Sequence, residues 1–173
     1  MTPRRLEASD EDRVQRFLAR VPEGDRTFFK EDLAEISVAG WLRDPRAHRA
    51  LVTDDGGEVR AYAAVIAGVE WSSHVGELRL VVDPGSRGQG MGRLMARWGL
   101  VEAVQMGLSK LVVELIADQA PAIAMFNDLG FEGEALLKDH VRDRSGELRD
   151  LILLAHHVDG NAASLATTGL EEV

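Results

Sequence analysis

Three glycines fall within five residues, Gly88-Gln89-Gly90-Met91-Gly92, directly after Arg87 and at the head of a long helical pattern. Ahead of them an apolar stretch, Leu78, Leu80, Val81 and Val82, breaks at Asp83-Pro84-Gly85. The first N–H groups of a helix have no intrahelical acceptor, and the helix dipole adds partial positive charge at that end. Phosphate binds well there. Between Pro84 and Val101 the charged side chains are Arg87, Arg93 and Arg97, a local balance of +3 in a protein of net charge -9. The chemistry indicated is capture of a polyanion.

Two common phosphate loops do not fit. A dinucleotide fingerprint needs G-x-G-x-x-G, but reading from Gly88 puts Arg93 in the last slot and reading from Gly90 fails as well. The nucleotide P-loop ends in Gly-Lys-Ser/Thr, where this chain has Gly92-Arg93-Leu94. What remains is Arg-x-x-Gly-x-Gly at a strand-to-helix junction. Farther on stands Ala122-Ile123-Ala124-Met125-Phe126-Asn127-Asp128-Leu129-Gly130-Phe131.

In these two motifs the chain resembles the GNAT superfamily of acyl-CoA-dependent N-acyltransferases. Its pyrophosphate motif, (Gln/Arg)-x-x-Gly-x-(Gly/Ala), is met by Arg87, Gly90 and Gly92, and its Leu-Gly-Phe signature by Leu129-Gly130-Phe131. The resemblance implies an α/β fold: a mixed, mostly antiparallel central sheet of about seven strands with four helices, splayed at the acyl-CoA site. It implies acetyl-CoA as cosubstrate, held by Arg87, Gly88, Gln89, Gly90, Met91, Gly92 and Arg93, with Val81 or Val82 offering a backbone N–H to the acyl carbonyl. Glu77 is the leading general base, the alternative being a structural pairing with Arg79 or a neighbouring strand. Alternation puts Glu77, Arg79 and Val81 on one face. Gln119 stands where an asparagine often helps bind the pantetheine arm. Phe126 stands where many members carry a tyrosine that protonates the departing thiolate, so that role is vacant.

The reaction implied is direct acetyl transfer to a primary amine of a small molecule or a protein lysine. An amine of pKa ~10.4 is deprotonated in only about one part in 2,500 at pH 7, so freeing the nucleophile costs about 4.6 kcal/mol unless the site assists. The rival reading, made plausible by Phe126, is an acyl-CoA sensor without turnover. Tyr62 could replace the missing acid if its hydroxyl faced the cleft. Phe28, Phe29, Trp41 and Trp71 are candidates for an acceptor pocket, with core packing as the alternative, and Asp139 and Asp143 for pairing with an acceptor cation.

The elements that must position these groups follow from patterning. Residues 3 to 8 suit a short strand, and Ser9 or Asp10 caps a helix carrying Val14, Phe17, Leu18 and Val21. Residues 25 to 30 read as loop, 33 to 42 as a second helix, and 48 to 53 with 58 to 69 as a hairpin turned at Asp54-Asp55-Gly56-Gly57. In the helix after the glycines, Met91, Leu94, Met95, Trp98, Val101 and Val104 or Gln105 trace the inner face, with Glu102 pointing elsewhere. A strand over 111 to 116, a helix over 122 to 129 stopped by Gly130, and a hairpin of 136 to 142 with 148 to 155 complete the order. The reading is one domain over 1 to 158, with 159 to 173 as a tail.

Composition narrows the classes. The chain has no cysteine, which removes thiol nucleophiles and thiolate metal sites. His156-His157, adjacent in a strand, face opposite ways, so no metal site is expected. Net charge -9 disfavours nucleic acid and anionic membrane as partners. No apolar run resembles a signal peptide or a membrane span, so a cytoplasmic protein is expected. A homodimer is the default assembly.

Overall fold

The two strands of the chain's first hairpin, residues 47–53 and 59–67, are buried on both faces through their middles, and the sheet they belong to carries a separate apolar core on each side. The computed structural model describes residues 1–158, with 26–28 as backbone only. The expected tail, 159–173, lies outside the described residues. Seven strands run in the order β1-β2-β3-β4-β5-β7-β6. They are β1 (Arg4–Arg5), β2 (Ala47–Thr53), β3 (Val59–Ala67), β4 (Val75–Val82), β5 (Lys110–Ile116), β6 (Glu132–Arg142) and β7 (Leu148–His157). Four helices, α1 (Glu11–Arg20), α2 (Val38–Leu42), α3 (Met91–Gln105) and α4 (Ala120–Asp128), complete the α/β fold.

Every neighbouring pair is antiparallel except β4 and β5. A parallel pair needs a crossover, and α3 provides it. α3 and α4 lie on one face over Leu78, Ala61, Ala63 and Val65, while α1 and α2 cover Leu51, Tyr62, Ala64 and Val81 on the other. Gly99 lets α3 sit close to β4: a Cβ there would lie 2.7 Å from a Leu78 methyl.

The parallel pairing is short. It runs only from Val75↔Lys110 to Glu77↔Val112, after which β5 continues against β7 alone. The hydrogen bonds Gly68 N–H to Val75 O and Asp83 N–H to Arg60 O mark the odd residues of β4 as those bonded to β3. By alternation, Leu78, Leu80 and Val82 turn their main-chain N–H and C=O groups toward β5. The Glu77↔Val112 pair still engages the Leu78 N–H, but among the described residues no strand pairs with Leu80 or Val82, and the sheet is split.

Several boundaries differ from the sequence reading. α2 begins at Val38, not near 33, because the Ser37 hydroxyl accepts the Gly40 N–H and starts the helix there. Residues 23–29, read partly as loop, form a 3-10 segment. Asp10 precedes α1 without capping it; its carboxylate instead accepts the Glu7 N–H and a double contact from Arg4. β6 starts four residues earlier than expected and carries register shifts around Gly133–Ala135 and Leu137–Val141. Glu102, placed on the outer side of α3 by patterning, is only 3% exposed, and Val104 is 39% exposed. Arg5 reaches Glu102 at 2.5 Å and His48 Nδ1 also bonds it, so these contacts tie α3 to β1 and β2. Periodicity cannot reveal a buried charge whose partners lie 97 and 54 positions away. Among the described residues no helix is long and apolar enough to cross a membrane.

Candidate functional site

The split opens into a cleft of about 580 Å³ whose walls are the diverging ends of β4 and β5, the glycine loop and α4. At one end the chain leaves β4 through Asp83, which is 5% exposed and accepts the Gly85 N–H, so the turn is held from within. Gly88 (φ 72) and Gly90 (φ 81) then adopt left-handed backbone, which favours glycine. Gly90 is the N-cap of α3, no side chain caps that end, and the first helical bond runs from Leu94 N–H to Gly90 O. Among the described residues, the N–H groups of Gly88, Gln89 and Gly90 bond no protein acceptor. Gly88, Gly90, Met91, Gly92 and Arg93 line the cleft.

The arginines beside these amides are paired. Arg87 Nη2 bonds Asp25 and also lies 3.4 Å from Val82 O, and Arg93 Nη2 donates to Asp128 at 2.8 Å. Both guanidinium groups remain substantially exposed. An incoming anion can therefore compete for them with their carboxylates. The Gln89 side chain turns back to donate to Gly85 O at 3.1 Å, and Gln89, expected from the sequence to join the loop's other residues at the cofactor, does not line the cleft.

Farther along the split, Glu77 on β4 and Glu114 on β5 face one another, with Lys30 bonded to both. Arg79 brackets Glu77 from the other side with contacts of 3.1 and 3.2 Å, and also reaches Glu31 at 3.2 Å. Burial pushes the Glu77 carboxyl up, but hydrogen bonds from Arg79 and Lys30 outweigh it and hold the group below its usual range. Glu77 is thus anionic at neutral pH. It attracts a cation strongly.

Val81 and Val82 take different positions. Val81 is opposite Tyr62 in the β3 ladder with its side chain buried, whereas Val82 has its main-chain groups on the open side. Gln119 uses its Oε1 to accept the Ile116 N–H at 3.0 Å, shaping the entry to α4, and still lines the cleft. Phe126 lines the cleft too, 2% exposed and edge-on to Phe131 at 5.1 Å.

Other candidates lie elsewhere. Tyr62 is buried, stacked on Trp41 and Phe29, with its hydroxyl 3.3 Å from Arg49 Nε. Burial pushes it up to about 12, and it does not line the cleft, so it cannot supply the missing acid. Phe29 and Trp41 are core residues, Trp71 is 93% exposed on the β3–β4 connection, and the Phe28 side chain lies outside the described residues. Asp143 is spent on the β6–β7 turn, where it accepts from Ser145 and Arg149. Asp139 stands at a bulge of β6, away from the cleft. Among the described residues no group of His, Asp and Glu is arranged for a metal ion. Sequence reasoning missed Asp25, Lys30 and Glu114, since each enters the cleft through tertiary pairing.

The sheet thus parts beside a glycine loop whose helix end no side chain caps. The acetyltransferase (GNAT) family model matches residues 12–131, and the chain belongs to that family. The mycothiol acetyltransferase of Saccharomonospora viridis is 42% identical over 59 residues, covering 34% of this chain and 19% of that protein. That of Kocuria rhizophila is 33% identical over 105 residues, covering 58% of this chain and 34% of its own length. The chain thus spans only a minor part of the curated relatives it matches. Among solved structures, the spermidine N-acetyltransferase of Vibrio cholerae in complex with CoA and spermine superposes with a TM-score of 0.75 at 16% identity, covering 90% of this chain and 94% of that one. The ribosomal-protein-S18-alanine N-acetyltransferase of Escherichia coli gives 0.68 at 23% identity, with 91% and 93% covered. At such identities the likeness is one of fold.

Proposed function

We propose that this protein is a cytoplasmic N-acetyltransferase that uses acetyl-CoA to acetylate a primary amine by direct attack. The observation that carries this reading is the coincidence of two features in one cleft: unpaired amides at Gly88–Gly90 and open main-chain groups on β4 past Glu77. Arg87, Arg93 and the loop amides suit a diphosphate, and Leu80 and Val82 suit an extended amide-bearing arm laid along β4. The Val82 N–H, on the open side, is the better placed of the two valines to stabilise the carbonyl oxygen as charge builds on it. Gln119 keeps its NH₂ group for the arm.

In the step itself the amine nitrogen bonds the acetyl carbon, the carbon–sulfur bond breaks, and CoA leaves as a thiolate. The ammonium proton passes to Glu77, directly or through water, and the thiolate takes a proton from solvent because Phe126 has none to give. The acceptor is a small-molecule amine or a protein lysine; the likeness to mycothiol and spermidine acetyltransferases supports the former, and the likeness to the ribosomal-protein-S18-alanine N-acetyltransferase supports a protein acceptor. A homodimer is the expected assembly, checked by sedimentation.

A Glu77→Gln variant tests the chemistry. It should bind acetyl-CoA as the wild type does and lose roughly 10²–10⁴ in turnover with an amine panel, followed by free-thiol release. Unchanged turnover would remove Glu77 from the mechanism. The absence of a hydroxyl at Phe126 favours one rival, an acyl-CoA sensor; wild-type protein that binds acetyl-CoA but releases no thiol with any amine would support it.

A further inference from the structure

The far end of the cleft contains a cation that belongs to the protein. Lys30 follows the 3-10 segment Glu23–Phe29 with left-handed backbone, φ 56, a conformation side-chain-bearing residues seldom adopt. Its ammonium bonds Glu77 and, at 2.5 Å, Glu114 Oε2. These carboxylates belong to different strands, beside the last pair of the parallel ladder, Glu77↔Val112. Like charges at that spot repel, and Lys30 is the cation shared by both.

The other charges around Glu77 are already committed. Arg79 is held by Glu77 and by Glu31, whose second oxygen accepts the Trp41 indole N–H at 2.9 Å. Arg79 is therefore anchored to the α1–α2 side of the sheet. Lys30 has no such anchor: its ammonium touches only the two glutamates among the described residues, and its side chain is 30% exposed. Of the two cations on Glu77, Lys30 is the one free to leave.

An amine whose proton Glu77 is to take must come within hydrogen-bond reach of that carboxylate, a place Lys30 Nζ now occupies. We propose that Lys30 is a resident stand-in for the acceptor: its Nζ marks the seat of the substrate ammonium between Glu77 and Glu114, and the lysine swings out as the substrate enters. The inference rests on the acetyltransfer reading above for its catalytic meaning. Glu114 then selects cationic primary amines, and Lys30 sets how tightly an acceptor must bind to displace it.

The test is calorimetric titration of n-butylamine and of the neutral n-butanol into wild type, Lys30→Met, and Lys30→Met combined with Glu114→Gln, with and without CoA. Lys30→Gln replaces Lys30→Met should the latter melt early. Losing the internal competitor should tighten n-butylamine by about 2- to 5-fold, the Glu114→Gln change should cancel that gain, and n-butanol should respond in neither. Unchanged amine affinity, an equal gain for n-butanol, or a gain that survives Glu114→Gln would overturn the proposal. So would an acetyl group found on Lys30 by peptide mass spectrometry after incubation with acetyl-CoA, since Lys30 would then be an acceptor itself. Acetyl-CoA binding by wild type is measured separately: its absence defeats the acetyltransfer reading, while the amine titrations without CoA still judge Lys30.

Discussion

Replacing Asp25 by Asn should make this protein bind acetyl-CoA more tightly, and replacing Arg87 by Ala should do the reverse. The reason is competition. Arg87, beside the uncapped amides of the glycine loop, is bonded to Asp25, and a diphosphate must take the guanidinium from that carboxylate. Hydrogen bonds to charged groups contribute about 1.5–3 kcal/mol. Because the Arg87 side chain is 49% exposed, the lower part of that range applies, and Arg87→Ala should weaken acetyl-CoA by roughly 10- to 30-fold. The Asp25–Arg87 pair is solvent-accessible and is worth about 0.2–1 kcal/mol, so Asp25→Asn should tighten binding by roughly 1.5- to 5-fold.

Isothermal titration with acetyl-CoA at low ionic strength reads both effects, and the double variant separates two explanations. If Asp25 acts by holding Arg87, its replacement adds nothing once Arg87 is gone. If it acts only through its negative field, the gain persists. An Arg87→Ala protein with unchanged affinity, or an Asp25→Asn protein that binds more weakly, would refute the assignment of Arg87 to the diphosphate.

Other outcomes follow from the same geometry. Gly90→Ala meets no neighbouring atom within 4 Å but forces a Cβ onto left-handed backbone at φ 81, a strain of about 1–2 kcal/mol. The loop should relax and turn its amides away, so calorimetry should show weaker acetyl-CoA binding with only a small drop in melting temperature. Asp10→Asn should lower stability by about 1–3 kcal/mol near neutral pH, measured by urea unfolding, because the fully buried side chain loses its charge and one of the two oxygens that accept from Arg4, Arg13 and the Glu7 N–H. Hydrogen bonding from Arg4, opposed by burial, holds the Asp10 carboxyl below its usual value. Its stabilisation is complete above the ordinary carboxylate pKa and fades as pH falls through the lowered folded value. The difference between wild type and Asp10→Asn should therefore close in acid. A gap that widens there would contradict the sign.

Motifs with local causes were legible in the chain. Left-handed glycines, a proline-bearing strand end and a Gly130 helix stop act within a few residues, so the strand–loop–helix unit and the Leu129-Gly130-Phe131 turn could be placed from spacing. Glu77 and Arg79 on one strand face follow from a period of two. The outward placement of Glu102 failed because a helix wheel treats every charge as solvent-seeking, while Arg5 and His48 make burial tolerable from distant positions.

By itself, then, the sequence determined the element order, the anion-ready loop and the residue types able to do amine chemistry, because each depends on backbone preference and side-chain periodicity over short spans. Only the tertiary structure decided that β4 and β5 part after Glu77, that Val82 and not Val81 turns its amide to the gap, and that Asp25, Lys30 and Glu114 meet there. These depend on register between strands and on contacts across 62 and 84 positions of chain, which no local pattern encodes.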